Sequence, residues 1–312
     1  MRGEDMNPVK GIALKLCSVV LFITMSSLIK ATAPHIPPGE AVFFRSFFAI
    51  PVILIWLWMR RELHTGLKVK SPMGHFWRGF AGTTAMGLGF AGLGLLPLPE
   101  VTAIGYAAPL LVVIFAAMFL GEEVRAFRLG SVALGLVGVL IVISPRLSVF
   151  SGPMVETAAA VGAILVLMGA VFSALAQIYV RKLVQTEQTS AIVFFFSLTA
   201  TGLSLVTLPF GWEVPTGGEA MLLIGAGLLG GLGQIFLTSS YRFAGASVVA
   251  PFDYASILFA LGIGYFVFAE VPTASMLLGA ALVTTAGVLI IWREHALGLK
   301  RSKARSGMTP QG

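Results

Sequence analysis

Ten apolar stretches, each near the roughly 20 residues a helix needs to cross a bilayer, dominate this sequence. They cover about 11–31, 39–59, 74–96, 100–120, 127–145, 157–180, 190–208, 219–241, 247–268 and 273–292. Connectors are short, and only 60–73 and 145–156 have any size, so no soluble domain fits between the stretches. Pro34-His35-Ile36-Pro37-Pro38-Gly39 separates the first two runs, and Pro97-Leu98-Pro99-Glu100 the third from the fourth. In hydrocarbon every backbone polar group must be satisfied internally, which makes these runs helices. Composition agrees: 57% of residues are hydrophobic, 11% are charged and mean hydropathy is +0.91. A soluble domain carries about 25% charged residues. The expected fold class is all-α integral membrane.

The net charge of +7 comes from basic residues in connectors and in the tail. They form no continuous face, so nucleic acid is not an expected partner. The single cysteine, Cys17, excludes an intramolecular disulfide, and His35, His64, His75 and His295 all sit in or beside connectors. No metal site and no cofactor are expected. Ala31-Thr32-Ala33 resembles a signal-peptidase site. Lys30 before it, Pro34 after it and a run long enough to span all favour a retained helix.

The chain also resembles itself. Tyr241 to Glu270, slid back 148 positions, lies without gaps on Leu93 to Glu122. Val249 then falls on Val101, Tyr254 on Tyr106, Ala255 on Ala107, Leu258 on Leu110 and Glu270 on Glu122. The same offset puts Gly227 and Gly230 on Gly79 and Gly82; one inserted residue later, Gly279 and Gly287 match Gly130 and Gly138. Ordered matches along one offset indicate a duplicated half. The halves are residues 11–145 and 157–292, five runs each. Residues 293–312 form a basic tail, expected to lack regular structure.

Lys and Arg in the connectors set the orientation. With the N-terminus cytoplasmic, the inner side collects Arg60, Arg61, Lys68, Lys70, Arg78, Arg125, Arg128, Arg181, Lys182, Arg242 and the basic tail, whereas the outer connectors hold only Arg146. Both termini are therefore expected inside. Five runs is an odd number, so the second half enters from the opposite side. Glu122 then lies at the cytoplasmic surface and Glu270 outside. The expectation is ten transmembrane helices arranged as two inverted five-helix repeats, a plan that allows alternate opening to either side.

Lys30 at the end of the first run, Phe43-Phe44-Arg45-Ser46-Phe47 in the second, Gly121-Glu122 and the stretch Tyr241–Tyr254 resemble the EamA type of the drug/metabolite transporter superfamily. That resemblance implies a carrier in a bacterial inner membrane, monomeric or homodimeric, moving a small organic molecule. Riboflavin or S-adenosylmethionine uptake is the substrate expectation it suggests, with export of amino acids or related metabolites as the alternative. The sequence departs from the family at Ala269-Glu270, where Gly-Glu is usual. Ile257 stands where the first half has Pro109, so the ninth run is expected to be the straighter of the two.

An ionisable group inside a span costs about 2.5–3.5 kcal/mol and marks function by default. Lys15 is near enough to the inner face to extend out of the bilayer. Lys30 either extends outward likewise or meets the permeant. Arg45 lies about 9 Å below the outer end of its helix, against Val193 at the 148-residue offset. It either pairs with Glu40 or Glu100 or reads a substrate carboxylate or carbonyl. Asp253 is the one acid well inside a span. It is a candidate proton-coupling site or a helix-start residue favoured by the dipole. Tyr106 and Tyr254 are expected on opposite sides of the midplane. With Gln177 and Gln234 they are candidate walls of a central cavity, Ser173 and Thr238 adding further polar groups.

Gly87-Leu-Gly89-Phe-Ala-Gly92 and Gly225-Ala-Gly227-Leu-Leu-Gly230 read G-x-G-x-x-G, but neither follows a strand. They are expected to be sites of close helix approach. A lipid-modifying enzyme would need clustered acids, histidines or a nucleophile with partners. The spans offer one Asp and one Cys, so no enzyme is expected.

Overall fold

The computed structural model describes residues 7–120, 126–147, 154–183, 186–243 and 249–306, and every element among them is helical. Glu122 and the end of the tail lie outside these residues. The helices are α1 (Pro8–Thr32), α2 (Pro38–Phe47), α3 (Ala49–Met59), α4 (Leu63–Gly66), α5 (Pro72–Leu95), α6 (Leu98–Gly105) and α7 (Ala107–Leu120). They continue with α8 (Ala126–Leu147), α9 (Met154–Leu183), α10 (Thr189–Leu205), α11 (Gly217–Phe243), α12 (Ala255–Phe268) and α13 (Ala274–Ser306). Among the described residues, seven helical stretches are long and apolar enough to cross a membrane: Val9–Thr32, Pro38–Met59, Leu98–Phe119, Ala126–Arg146, Thr157–Val180, Gly217–Leu237 and Ala274–Arg293. Thr189–Leu205 and Phe252–Phe268 are apolar but shorter. Large apolar side chains such as Trp58, Leu258 and Phe266 point outward, as a surface facing lipid tails requires.

Prolines begin several helices, where a missing N–H costs nothing. At α1, Pro8 is joined by Asn7, whose side-chain oxygen accepts from the Lys10 amide at 3.0 Å. Prolines also break two spans. Pro51 cannot donate to the Phe47 carbonyl, and the helix parts at Phe48 between α2 and α3. Pro109 stands in the same relation to Gly105, and the break falls at Tyr106 between α6 and α7. The ninth run is not straighter, contrary to the expectation from Ile257. A 3-10 turn over Ala250–Tyr254 carries its proline, Pro251, at the front and passes into α12 at Ala255. The break between α6 and α7 and the one ahead of α12 thus fall at matching tyrosines, Tyr106 and Tyr254.

Long helices pair across the halves: α1 runs along α11, α5 along α9, and α8 along α13. Two further crossings answer each other. Where α11 meets α2, a Cβ on Gly227 would come within 2.5 Å of Phe48 Cβ, and one on Gly230 within 3.2 Å of Arg45 Nε. Where α5 meets α10, Gly79 faces Thr199 at 2.5 Å and Gly82 faces Phe196 at 2.8 Å. The glycines correspond at the 148-residue offset, but their partners correspond at 151. The contact partner equivalent to Arg45 is therefore Phe196, not Val193. The last helix also overturns an expectation, because α13 continues past the apolar run to Ser306. Its Arg, Lys, Ala and Leu content favours helix even where no membrane demands one.

Candidate functional site

Between the halves lies a cavity of about 1530 Å³. At one end its lining residues Arg60, Glu62, Gln188 and Thr189 stand at least partly open to solvent. At the other end Leu93 and Leu98 are buried. That second end is tied shut. Lys30 Nζ meets Glu270 Oε1 at 2.9 Å and donates to the carbonyls of Leu93 (3.1 Å) and Leu96 (2.6 Å). Glu270 Oε2 accepts the Leu98 amide at 2.8 Å, so one ion pair joins α1, α5, α6 and the end of α12. Beside it Arg146 grips Glu100 with two hydrogen bonds of 2.7 and 3.1 Å.

Tyr106, Gln177, Gln234, Asp253 and Tyr254 all line the cavity, as does Ser173. Tyr106 and Tyr254, expected on opposite sides of the midplane, lie in ring contact with centroids 4.8 Å apart. Both sit at helix breaks, and the breaks meet. The Tyr106 hydroxyl donates to the Asp253 carbonyl at 2.8 Å and lies close to Ser256 Oγ. A Cβ on Gly287 would overlap the Tyr254 hydroxyl, so that glycine makes the seat for the ring tip.

Asp253 follows Pro251 in the 3-10 turn, as its helix-start reading required, but its carboxylate is also engaged. It pairs with Lys15 Nζ at 2.7 Å; the Lys15 side chain is 2% exposed and that of Asp253 48%. Lys15 therefore does not extend out of the bilayer. A neighbouring carboxylate holds it in the cavity wall, a partner separated from it by 238 positions in sequence.

Two expected ligand contacts are not in the wall. Lys30 is committed to the closed end, with its ammonium donors taken up by Glu270 and two carbonyls. Arg45 is buried (3% exposed) behind the wall, its guanidinium carbon 5.5 Å from the Phe196 ring centroid. It pairs with neither Glu100, which holds Arg146, nor Glu40, whose Oε2 accepts the Glu213 amide at 3.1 Å. Arg78, in contrast, is in the wall, as are Arg60 and Arg128 at the open end. Its position six residues past Pro72 puts it about 9 Å into α5. That depth was readable, but its place among the inner cations concealed it. At the open end, burial pushes the Glu187 carboxyl up. The amides of Lys70 and Ser71, each donating to Oε1 at 2.7 Å, and nearby His75 outweigh this and hold it below the usual carboxylate range.

A profile of the EamA-like transporter family matches residues 9–144 and 160–293. The chain belongs to that family. Its relatives include the pseudopaline exporter CntI of Pseudomonas aeruginosa (strain UCBPP-PA14), 32% identical over 284 residues, covering 90% of this chain and 95% of the relative. The S-adenosylmethionine uptake transporter of Rickettsia felis is 26% identical over 284 residues, covering 91% and 93%. A crystal structure of a protein superimposes with a TM-score of 0.65 at 19% identity, covering 93% of this chain and 99% of the other, and speaks for the fold alone. This EamA-like chain is a multi-pass membrane protein whose relatives are transporters.

Proposed function

We propose that the chain is a secondary-active carrier that moves a small organic metabolite across the cytoplasmic membrane by alternating access between two inverted five-helix halves. One observation carries this reading: a large central cavity, open at one end and tied shut at the other by Lys30–Glu270 and Glu100–Arg146. The paired crossings, Gly227/Gly230 on α2 and Gly79/Gly82 on α10, support two equivalent halves. So does a family match in two stretches of similar length. The open end carries Arg60 and Arg128, which by the charge rule is the cytoplasmic side. On this reading the chain is an inward-open carrier with both termini inside.

On substrate, the exporter relative shares more of the sequence than the uptake carrier, 32% against 26%. We therefore place export of an amino-acid-type metabolite ahead of S-adenosylmethionine uptake, and riboflavin draws no support from either relative. Asp253, half open to the cavity beside Lys15, is the coupling candidate. A Cys17→Ser chain with a single cysteine at Val101, beneath the closed end, tests alternating access directly. Its thiol is expected to react with an impermeant reagent applied to either face of oriented vesicles. Reaction from one face only, with or without a gradient, would rule the carrier reading out.

A further inference from the structure

Charged groups around the cavity have interactions of their own, with one exception. Lys15 is matched by Asp253 at 2.7 Å and Arg60 by Glu62 at 3.0 Å. Glu187 is held by two amides and lies 3.8 Å from His75, and Arg128 has its own interaction. Arg78 is different. Its guanidinium carbon sits 3.6 Å from the Phe196 ring centroid, and its Nε and Nη1 are buried without a hydrogen-bond partner. Arg45 approaches the same ring from behind the wall, and its Nε and Nη1 also lack partners. Among the described residues no carboxylate pairs with either arginine.

Two positive charges around one phenyl ring, Arg45 buried and Arg78 partly so, are unfavourable where little water reaches them. Contact with the ring offsets part of that cost, not all of it. The room for them is nonetheless built in. Gly82 leaves space beside Arg78 Nη1, and Gly230 beside Arg45 Nε, each at 3.2 Å from where a Cβ would stand. These glycines correspond between the halves, and each makes room for an arginine, with Phe196 beside Gly82 and Met25 beside Gly230.

We propose that this unbalanced pair is the binding locus for the anionic part of the permeant, a carboxylate-bearing or phosphate-bearing small molecule of net negative charge. Arg78, in the cavity wall, meets the anion directly, through a charge that it cannot lose. Arg45 is a positioning residue that adds field from behind Phe196. The assignment rests on the carrier reading above and sharpens its substrate. S-adenosylmethionine, which carries a sulfonium cation, is disfavoured by such a wall, and neutral riboflavin gains nothing from it.

The test is equilibrium binding to the full chain in lipid nanodiscs, read by thermal shift and calorimetry. The probes are glutamate, citrate, inorganic phosphate, riboflavin and S-adenosylmethionine. At least one of the three anions is expected to stabilise the protein. Its Kd should weaken about ten-fold or more in Arg78→Gln, recover in part in Arg78→Lys, and weaken less in Arg45→Gln. A response to phosphate but not to either carboxylate selects the phosphate form of the same chemistry. The inference is overturned if no anion binds, if Arg78→Gln leaves anion binding unchanged, or if S-adenosylmethionine binds the wild type more tightly than every anion. The wild-type comparison of anions with the cation needs no variant, so misfolding of one does not protect the idea. Failure here leaves the Val101 labelling result untouched, so the two readings fail separately.

Discussion

Lys30 and Arg45 are both cations set within the first two membrane runs, yet the structure treats them in opposite ways. Lys30 finds a carboxylate and two carbonyls, and through them fastens four elements at the closed end. Arg45, with Arg78 near it, finds only a phenyl ring. A neutralised charge holds helices together, whereas an unmatched one weakens the fold and is tolerable where something else supplies the opposite sign. The contrast breaks most sharply at Lys30. Lys30→Met leaves Glu270 partly buried with only the Leu98 amide, a loss that costs about 3–5 kcal/mol for a buried pair. Thermal unfolding in detergent measures it, and a loss below about 1 kcal/mol would mean the clamp carries little.

The next largest effect asks whether the seat that holds Arg45 is the tighter of the two matched crossings. A Cβ at Gly227 would strike backbone, the Phe44 carbonyl at 2.8 Å, as well as Phe48. At Gly79 it meets only the Thr199 side chain, which can turn away. Gly227→Ala is expected to cost about 1–3 kcal/mol, and Gly79→Ala less. Equal losses would make the crossings mechanically alike and remove the asymmetry.

Much of this was legible from the chain, for a definite reason. Burial in lipid forces long apolar runs, so helix existence, and the cavity residues Tyr106, Gln177, Gln234, Asp253 and Tyr254, came from pattern and position. Azimuth did not. Depth along a helix is 1.5 Å per residue, but which side of the helix faces the cavity depends on its neighbours. Position alone therefore leaves Arg45 between an ion pair with Glu40 or Glu100 and the permeant, and sets Lys15 and Arg78 near the inner face. Register was also lost between the second and third spans. Phe48 to Gly79 is 31 positions, and Thr199 to Gly227 is 28. This three-residue difference in a connector moves Arg45 from Val193 to Phe196. The break at Tyr254 was missed because Ile257 is no proline; the turn there is set by Pro251 and by packing against Tyr106.

Arg45 itself supplies the third prediction, with the opposite sign from Lys30. A buried charge without a partner is costly to desolvate, so a well-packed apolar chain in its place removes that cost. Arg45→Met is expected to gain about 1–2 kcal/mol while weakening ligand binding. A variant that lost stability and kept binding would place Arg45 with the structural cations and erase the distinction from Lys30.

The smallest effect concerns what aims the partner of Lys30. Ala269 ends α12 in the left-handed region, φ 53°, and its amide and that of Glu270 both turn back to the Gly264 carbonyl. That wrap directs the Glu270 carboxylate toward Lys30 and the Leu98 amide. An alanine there suffers the clash of Cβ with the backbone, about 1–2 kcal/mol, which a glycine escapes. Glycine loses some of this gain to its greater freedom in the unfolded chain. Ala269→Gly is therefore expected to stabilise the protein by about 0.5–1 kcal/mol. The gain belongs to the turn and not to the ion pair, so it should persist when Lys30 is already Met. If the two changes proved strongly non-additive in a double-mutant cycle, the turn and the clamp would be one device, and the closed end would owe its strength to backbone geometry as much as to charge.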